Sequence, residues 1–391
     1  MTAESSRLLV VDDNKINRML LIRNLEEQGH CVESAVNGRE ALERLRNDSF
    51  DLVLLDIEMP EMDGYQVLSA MKADLQLRHI PVIMVTAVEE IESAIRCIEM
   101  GAEDYLPKPF NPVLLRARIG ASLDKKHLRD KEQLYLKSLE RELEIGREIQ
   151  AGFLPTELPR ADGWEIAASL ESAKEVAGDF YDAFYLESEN KICLVIADVC
   201  DKGVGAALFM TLFRSLLRFT ISATDIFGER PAASKLKYAA TLTNNYIANT
   251  HGDTGMFATI FFGLLDPVDG MLVYINAGHE NPLIVNANGV SKSLMKTGRA
   301  IGAVPDSKFD VCEAHLEPGE LLFAFTDGVP DALDATGNSF GREHLISLLH
   351  NDISAENLLA EIKTRLDEHI GDAEQFDDIT LLAVKRLPFP K

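Results

Sequence analysis

I-A-D-V-C-D-K-G-V-G-A-A, residues Ile196 to Ala207, is the stretch on which the organisation of the chain turns. The run from Leu194 to Val199 is apolar and rich in β-branched residues, the composition of a buried strand. It carries one carboxylate, Asp198, near its end. Gly203 and Gly205 follow, then A-A-L-F-M-T-L-F-R-S-L-L-R, whose broad apolar face predicts a helix. A carboxylate where a buried strand opens into a glycine-containing turn is well placed to hold a hard cation. Glycine there lets backbone carbonyls approach the same ion closely. Taken alone, the pattern is equally that of an ordinary strand–turn–helix corner.

Three more stretches repeat the theme. Asp179 follows Gly178 in E-V-A-G-D-F-Y-D, at the entry to another strand. Asp327 ends the apolar run L-L-F-A-F-T-D and is followed by glycine. Asp377 and Asp378 open the final strand in F-D-D-I-T-L-L-A-V. Like carboxylates repel and resist desolvation, so four acidic sites at apolar strand ends are costly to gather without cations. No histidine or cysteine stands at matching positions, and oxygen-only ligands favour Mg²⁺ or Mn²⁺ over zinc. With the A-G-H at Ala277 to His279, these motifs closely resemble the metal-dependent PPM-type serine/threonine phosphatases, in particular the bacterial SpoIIE/RsbU-like branch, over roughly residues 145 to 387.

That resemblance implies roles. Asp198 would bridge two Mn²⁺ or Mg²⁺ ions, with the backbone carbonyl of Val199 adding an oxygen. Asp327 and Asp377 would complete one metal shell and Asp179 would support the other. Water held between the ions, with its pKa lowered, would attack a phosphoserine or phosphothreonine in line. Asp377 is preferred to Asp378 because it stands first in D-D-I-T, where the family's ligand falls. His279 is read as structural. Four positions depart from the family pattern: Ala177 stands for a glycine, Cys200 and Asp201 for serine–glycine, and Pro330 for threonine. None removes a ligand, although Asp201 adds a carboxylate near the cations.

Toward the N-terminus, residues 7 to 121 alternate strand and helix with short connections, the pattern of a doubly wound parallel sheet. R-L-L-V-V-D-D ends on Asp12 and Asp13, D-L-V-L-L-D ends on Asp56, and P-V-I-M-V-T-A ends at Thr86. The fifth strand, D-Y-L-P-K-P-F, carries Tyr105 and Lys108. Helices are expected through Leu20 to Leu25, Arg39 to Arg46, Tyr65 to Lys72 and Glu90 to Met100. In such sheets ligands bind beyond the carboxyl ends of the strands, where all of these polar residues fall. The constellation resembles a response-regulator receiver domain, which implies a flavodoxin-like fold with strand order 2-1-3-4-5. It implies Mg²⁺ held by Asp12, Asp13, Asp56 and the backbone carbonyl of Glu58, with Asp56 taking a phosphoryl group from a histidine kinase. Lys108 would offset phosphoryl charge, Thr86 would bond the phosphate, and Tyr105 would follow it inward as the switch. A cis Lys108–Pro109 bond is implied as well.

Between Asn111 and Pro155 the composition turns charged and helix-forming, with apolar residues at Leu136, Leu139, Leu143, Ile145, Ile149 and Phe153. Gly146 and Gln150 interrupt the stripe. Two readings stand: a solvated linker helix, or a dimerising helix carrying the receiver's state onward. R-E-I-Q-A-G-F-L-P resembles the segment that opens RsbU-like phosphatase domains, which favours the second. The rest reads as strands and grouped helices, fitting two antiparallel sheets flanked by helices, an α/β sandwich. The expected domains are a receiver at 1–121, a helical linker at 122–155, and a PPM-type phosphatase domain at 156–391.

A chain of 391 residues suits two or three domains, and a hydrophobic fraction of 46% supports real cores. The net charge of −24 argues against a nucleic-acid partner, as does the lack of a helix-turn-helix region. No apolar run is read as a membrane span and M-T-A-E-S-S is not read as a signal peptide. The five cysteines form no C-x-x-C pair, most sit in apolar runs, and they are read as reduced, buried thiols of a cytoplasmic protein. By resemblance, the substrate is a serine-phosphorylated STAS-type anti-sigma-factor antagonist, linking a two-component signal to partner switching, and the linker helix makes a homodimer. The rival is a non-catalytic adaptor that sequesters a regulatory partner when phosphorylated.

Overall fold

The structure is a computed structural model that describes residues 5–87, 91–223 and 231–388. Glu90, where the sequence places the start of a helix, lies outside the described residues. Two compact units divide the chain, Met1–Leu139 and Glu140–Lys391.

In the first unit, β1 (Arg7–Val11), β2 (Cys31–Ala35), β3 (Leu52–Asp56), β4 (Val82–Ala87) and β5 (Asp104–Lys108) form a parallel sheet in the order β2-β1-β3-β4-β5. Successive side chains of a strand point to opposite faces, so its buried apolar runs serve two cores. Leu9, Val11, Val53, Leu55, Val82 and Met84 pack with α2 (Gly38–Asn47) and α3 (Gly64–Ala73) on one side. Leu8, Val10, Leu52, Leu54, Ile83 and Val85 pack with α1 (Lys15–Glu26) and the first turns of α5 (Pro112–Ala151) on the other. The fourth helix, α4, covers Ile91–Glu99. Asp63 caps α3 with a full capping box completed by Gln66, which fixes where the loop after Asp56 ends.

In the second unit, one antiparallel sheet has the order β13-β10-β9-β8-β7 and the other β12-β11-β14-β15-β6. The first is built from β7 (Phe180–Leu186), β8 (Lys191–Val199), β9 (Ala258–Leu265), β10 (Met271–Ala277) and β13 (Cys312–His315). The second contains β6 (Trp164–Glu171), β11 (Leu283–Asn286), β12 (Gly289–Ser293), β14 (Leu321–Phe325) and β15 (Ile379–Arg386). Leu194, Ile196, Phe261 and Tyr274 of the first sheet meet Ile284, Leu322, Leu382 and Trp164 of the second. The outer face of the first sheet is covered by α6 (Val204–Ser222) and α7 (Ala232–Thr250), through Met210, Phe213, Leu217 and Leu236. The outer face of the second is covered by α8 (Arg342–Leu348) and α9 (Ala355–Ile370), through Leu345, Leu358, Ile362 and Leu366. The two layers of sheet with helices outside are the expected sandwich.

β12 and β13 were not legible in the sequence. Short and polar, they exist because neighbouring strands offer edges to pair with, Cys312–His315 against Met271–Tyr274 and Gly289–Ser293 against Leu283–Asn286. The expectation of buried thiols holds for Cys97 and Cys193, whereas Cys200 and Cys312 are half-buried and Cys31, on the edge strand β2, is exposed. The expectation of no span-length apolar helix also needs correction. α6 is long and apolar enough to cross a membrane by length and composition. Seven of its residues are buried in the protein core, which explains its apolar face without a bilayer.

Candidate functional site

Two groups of carboxylates stand at strand ends, one in each unit. In the first unit, Asp12 and Asp13 follow β1, and Asp56 is the last residue of β3. Their carboxylate oxygens lie within 4.8 Å of one another. Parallel strands deliver all three to one rim because β1 and β3 pair in register, Val11 beside Leu55. Lys108, at the end of β5, places Nζ 2.7 Å from Asp56 Oδ2 and 3.2 Å from Asp12 Oδ2. Burial pushes the Asp56 carboxyl up to about 6, against the pull of Lys108. Asp12 Oδ1 accepts from the Asn14 backbone N–H at 2.8 Å, whereas buried Asp12 Oδ2 accepts no hydrogen bond. Oxygen donors only, among them a buried oxygen with no partner beyond the Lys108 ammonium, fit a hard divalent cation such as Mg²⁺.

A cleft of about 890 Å³ opens over these groups, lined among others by Asp13, Asn14, Asp56, Glu58 and Lys108. Gly64 is required beneath it, since a Cβ there would lie 2.2 Å from the backbone oxygen of Asp56. Thr86 is buried at the end of β4, and the half-buried Tyr105 ring lies under the Arg118 guanidinium at 4.8 Å. The Lys108–Pro109 bond is cis.

In the second unit, antiparallel strands bring the acidic positions to one end of the sandwich. Asp179 precedes β7, Asp198 stands next to last in β8, Asp327 lies two residues past β14, and Asp377 lies two before β15. Asp179 is buried and its Oδ2 accepts from Thr380 Oγ1 at 2.7 Å. Burial, with Asp198 and Asp378 nearby, holds its carboxyl well above the usual range. Burial and the neighbouring Asp327, Asp377 and Asp378 push Asp198 up to about 7. Asp327 is raised by burial and by Asp377. Mutual repulsion of this kind is what a divalent cation would relieve, and the donor set is again oxygen only. The residues therefore fit Mn²⁺ or Mg²⁺. Asp198, Asp327 and Asp377 do not gather as tightly as the receiver trio.

The adjacent pair Asp377 and Asp378 divide their work. Asp378 is buried, and its oxygens accept from the backbone N–H groups of Ala173, Gly178 and Asp179 at 2.8, 2.7 and 3.3 Å. It fixes the loop that carries Asp179. Asp377 is half-buried, with Oδ2 3.0 Å from Lys202 Nζ. Gly328 is needed in the same corner, because a Cβ would lie 2.0 Å from the Asp378 carbonyl oxygen. His279 is buried, with Nδ1 2.8 Å from Thr259 Oγ1, and burial drops it to about 3. A neutral, sequestered imidazole of this kind packs the strand ends together.

Several residues escaped the sequence reading. Gln150, a break in an apolar stripe, is buried and clamps one residue from both sides. Its Nε2 donates to the Ala177 carbonyl at 2.6 Å and its Oε1 accepts the Ala177 N–H at 2.9 Å. That polar interruption was the visible signal. Lys202 donates to the Phe376 carbonyl at 2.6 Å and sits 3.9 Å over the Phe376 ring. Asp201, one of the departures, adopts a left-handed φ of 72° where the family pattern has glycine.

Comparison with known proteins agrees with this architecture. A family model described as Stage II sporulation protein E (SpoIIE) matches residues 188–387, and one described as response regulator receiver domain matches residues 8–120. Protein IcfG of Synechocystis sp. is 46% identical over 263 residues, covering 63% of this chain and 41% of that protein. Phosphoserine phosphatase RsbU of Bacillus subtilis is 28% identical over 250 residues, covering 63% of this chain and 70% of that one. Response regulator PleD of Caulobacter vibrioides is 42% identical over 115 residues, covering 29% and 25%. The chain thus spans less than half the length of IcfG and PleD. In fold, the SiaA-PP2C domain of Pseudomonas aeruginosa superposes with a TM-score of 0.54 at 22% identity, over 64% of this chain and 98% of that one. The chain belongs to the SpoIIE family, and joins an N-terminal response-regulator receiver domain to a C-terminal PPM-type phosphatase domain.

Proposed function

We propose that this chain is a two-component response regulator whose output is metal-dependent removal of phosphate from a phosphoserine or phosphothreonine protein. The observation that carries the reading is the meeting of Asp179, Asp198, Asp327 and Asp377 at one end of the sandwich, where burial first and neighbouring carboxylates second raise Asp179, Asp198 and Asp327. Asp198, Asp327, Asp377 and the Val199 carbonyl would hold two Mn²⁺ or Mg²⁺ ions, with Asp179 in support. Bound there, the ions supply a water of lowered pKa and neutralise phosphate charge. Thr380 and Asp378 keep Asp179 and its loop in place, and Lys202 engages Asp377 from the β8–α6 turn.

In the receiver, Asp56 is the nucleophile that accepts phosphate from a histidine kinase; Asp12, Asp13, Asp56 and the Glu58 carbonyl would hold a Mg²⁺ that offsets phosphoryl charge. Lys108, already 2.7 Å from Asp56, offsets the incoming charge. Thr86 and Tyr105 would read the phosphorylated state. We assign residues 1–121 to the receiver, 122–155 to a dimerising connector and 156–391 to the phosphatase. The substrate we favour is a phosphorylated STAS-type anti-sigma-factor antagonist, supported by the likeness to the phosphoserine phosphatase RsbU.

The test is hydrolysis of p-nitrophenyl phosphate and of a phospho-antagonist, with and without Mn²⁺. Asp198→Asn and Asp327→Asn should each reduce Mn²⁺-dependent turnover to background, since no neighbour replaces the lost charged ligand. Substantial turnover by either purified variant would sink the assignment, and a wild-type chain that binds the antagonist without hydrolysing it would establish the adaptor instead.

A further inference from the structure

A cleft of about 640 Å³ lies in the second unit along β7, the edge strand of its sheet, on residues that none of the roles above uses. One wall is the segment 152–160 that leaves the connector helix; the other joins Phe184 and Tyr185 of β7 to Arg214 and Arg218 of α6. The volume falls in the span of roughly 300–1,000 Å³ typical of small-molecule sites.

Its electrostatics oppose those of the chain. Against a net charge of −24, the cleft presents Arg160, Arg214 and Arg218, with Glu157 at the rim and Asp182 buried behind. Asp182 is the only carboxylate in contact with the two inner guanidinium groups, among the described residues. Arg214 Nη2 lies 3.0 Å from its Oδ2, and Arg218 Nη1 donates to both its oxygens at 3.0 and 3.1 Å. Arg214 Nε is buried with no hydrogen-bond partner, which is an open donor. Burial lowers the Arg214 pKa despite Asp182, and raises that of Asp182 despite both arginines. One carboxylate thus serves two guanidinium groups, a largely buried Arg214 with an open Nε donor and a partly exposed Arg218, an arrangement with capacity for an incoming anion. The Arg218 guanidinium stacks 4.3 Å from the Phe184 ring, and Leu158 and Pro159 complete an apolar wall. Such walls suit a ligand with an apolar body as well as a charged head.

We propose that this cleft binds a small organic anion, its phosphate or carboxylate head on Arg214, Arg218 and Arg160 and its apolar body against Phe184 and Leu158. Its wall begins two residues after Gln150, so an occupant would brace the point where the connector meets the phosphatase fold. Binding there is independent of the proposed metal ligands.

The experiment titrates the full chain with anilinonaphthalene sulfonate, an anion with an aromatic body, and follows its fluorescence. One saturable site with a Kd of tens of micromolar is expected, weakened at least fivefold by Arg160→Glu and by Arg218→Gln, and unchanged by Asp198→Asn. Competition with adenosine monophosphate and with salicylate distinguishes a phosphate head from a carboxylate one. Arg218→Gln weakens the compensation of buried Asp182 and can unfold the unit; Arg160 is exposed, so Arg160→Glu keeps the test open, with circular dichroism confirming its fold. Absence of saturable binding, unchanged affinity in folded Arg160→Glu, or displacement by neither competitor would overturn the proposal.

Discussion

At the scale of single residues, the proposed metal site is written in raised carboxyls. Asp198 sits at about 7, and Asp179 is held well above the usual range, burial being the first cause in both. A carboxyl whose pKa is raised by folding favours the fold while it is protonated. That contribution is full below the unfolded value near 4 and is lost as pH rises through about 7. The metal-free phosphatase unit should therefore melt at lower temperature at pH 8 than at pH 5.5, with EDTA present. Mn²⁺ requires the ionised ligands, so its apparent affinity should climb over the same interval by about tenfold per pH unit for one displaced proton. Thermal shift at fixed Mn²⁺ reads both, and an affinity flat between pH 5.5 and 8 would contradict the assignment. Asp201 offers a second residue-level test. Its φ of 72° strains a non-glycine residue by roughly 1 kcal/mol, part of which its own side chain recovers by accepting the Lys202 N–H at 2.8 Å. Asp201→Gly removes the strain but also that hydrogen bond, and frees the unfolded chain, so stability should change by less than about 0.5 kcal/mol and Tm hardly move; a clear loss of stability would show that the side chain matters more than the strain.

At the scale of elements, α5 runs 40 residues and exposes Leu128, Leu134, Tyr135, Leu136, Leu139, Ile145 and Ile149. An apolar stripe on an otherwise solvated helix is what a second helix would cover. If α5 transmits the state of Asp56, its rotational phase matters more than its length. Each residue turns a helix by about 100°, so two residues inserted near Lys131 rotate the C-terminal half of α5 by roughly 200°. Seven restore the phase to within about 20°. Phosphatase activity should stay measurable in both, but its response to beryllofluoride should vanish in the two-residue variant and largely survive in the seven-residue one. Equal responses would leave a flexible tether. The stripe itself was legible in the sequence. The meaning of its interruption at Gln150 was not, because the clamp on Ala177 joins positions 27 apart through a loop whose path no local pattern records.

At the scale of the whole molecule, two acidic sites with different chemistry share one chain, and they should separate cleanly. Asp56→Ala should abolish labelling by acetyl phosphate as an acid-stable, base-labile acyl phosphate while Mn²⁺-dependent hydrolysis persists; Asp198→Asn should do the reverse. Undiminished labelling of Asp56→Ala would show that another residue takes the phosphate. What the sequence by itself determined was each candidate carboxylate near a strand end, the parallel sheet of the receiver and the sandwich of the second unit; the strand order of the receiver came with the family resemblance. Those features are local: an apolar run, a turn and an acid adjacent in the chain. Only the tertiary structure showed that Asp378 is held by backbone, since the three N–H groups that occupy it come from residues about 200 positions earlier. It alone supplied edges for the polar strands β12 and β13. It alone put Arg214 and Arg218 on Asp182, a pairing that depends on a helix crossing a strand. Adjacency along the chain fixes an element and its end; desolvation and hydrogen bonding between distant segments fix which of two neighbouring side chains is buried against backbone and which faces a lysine.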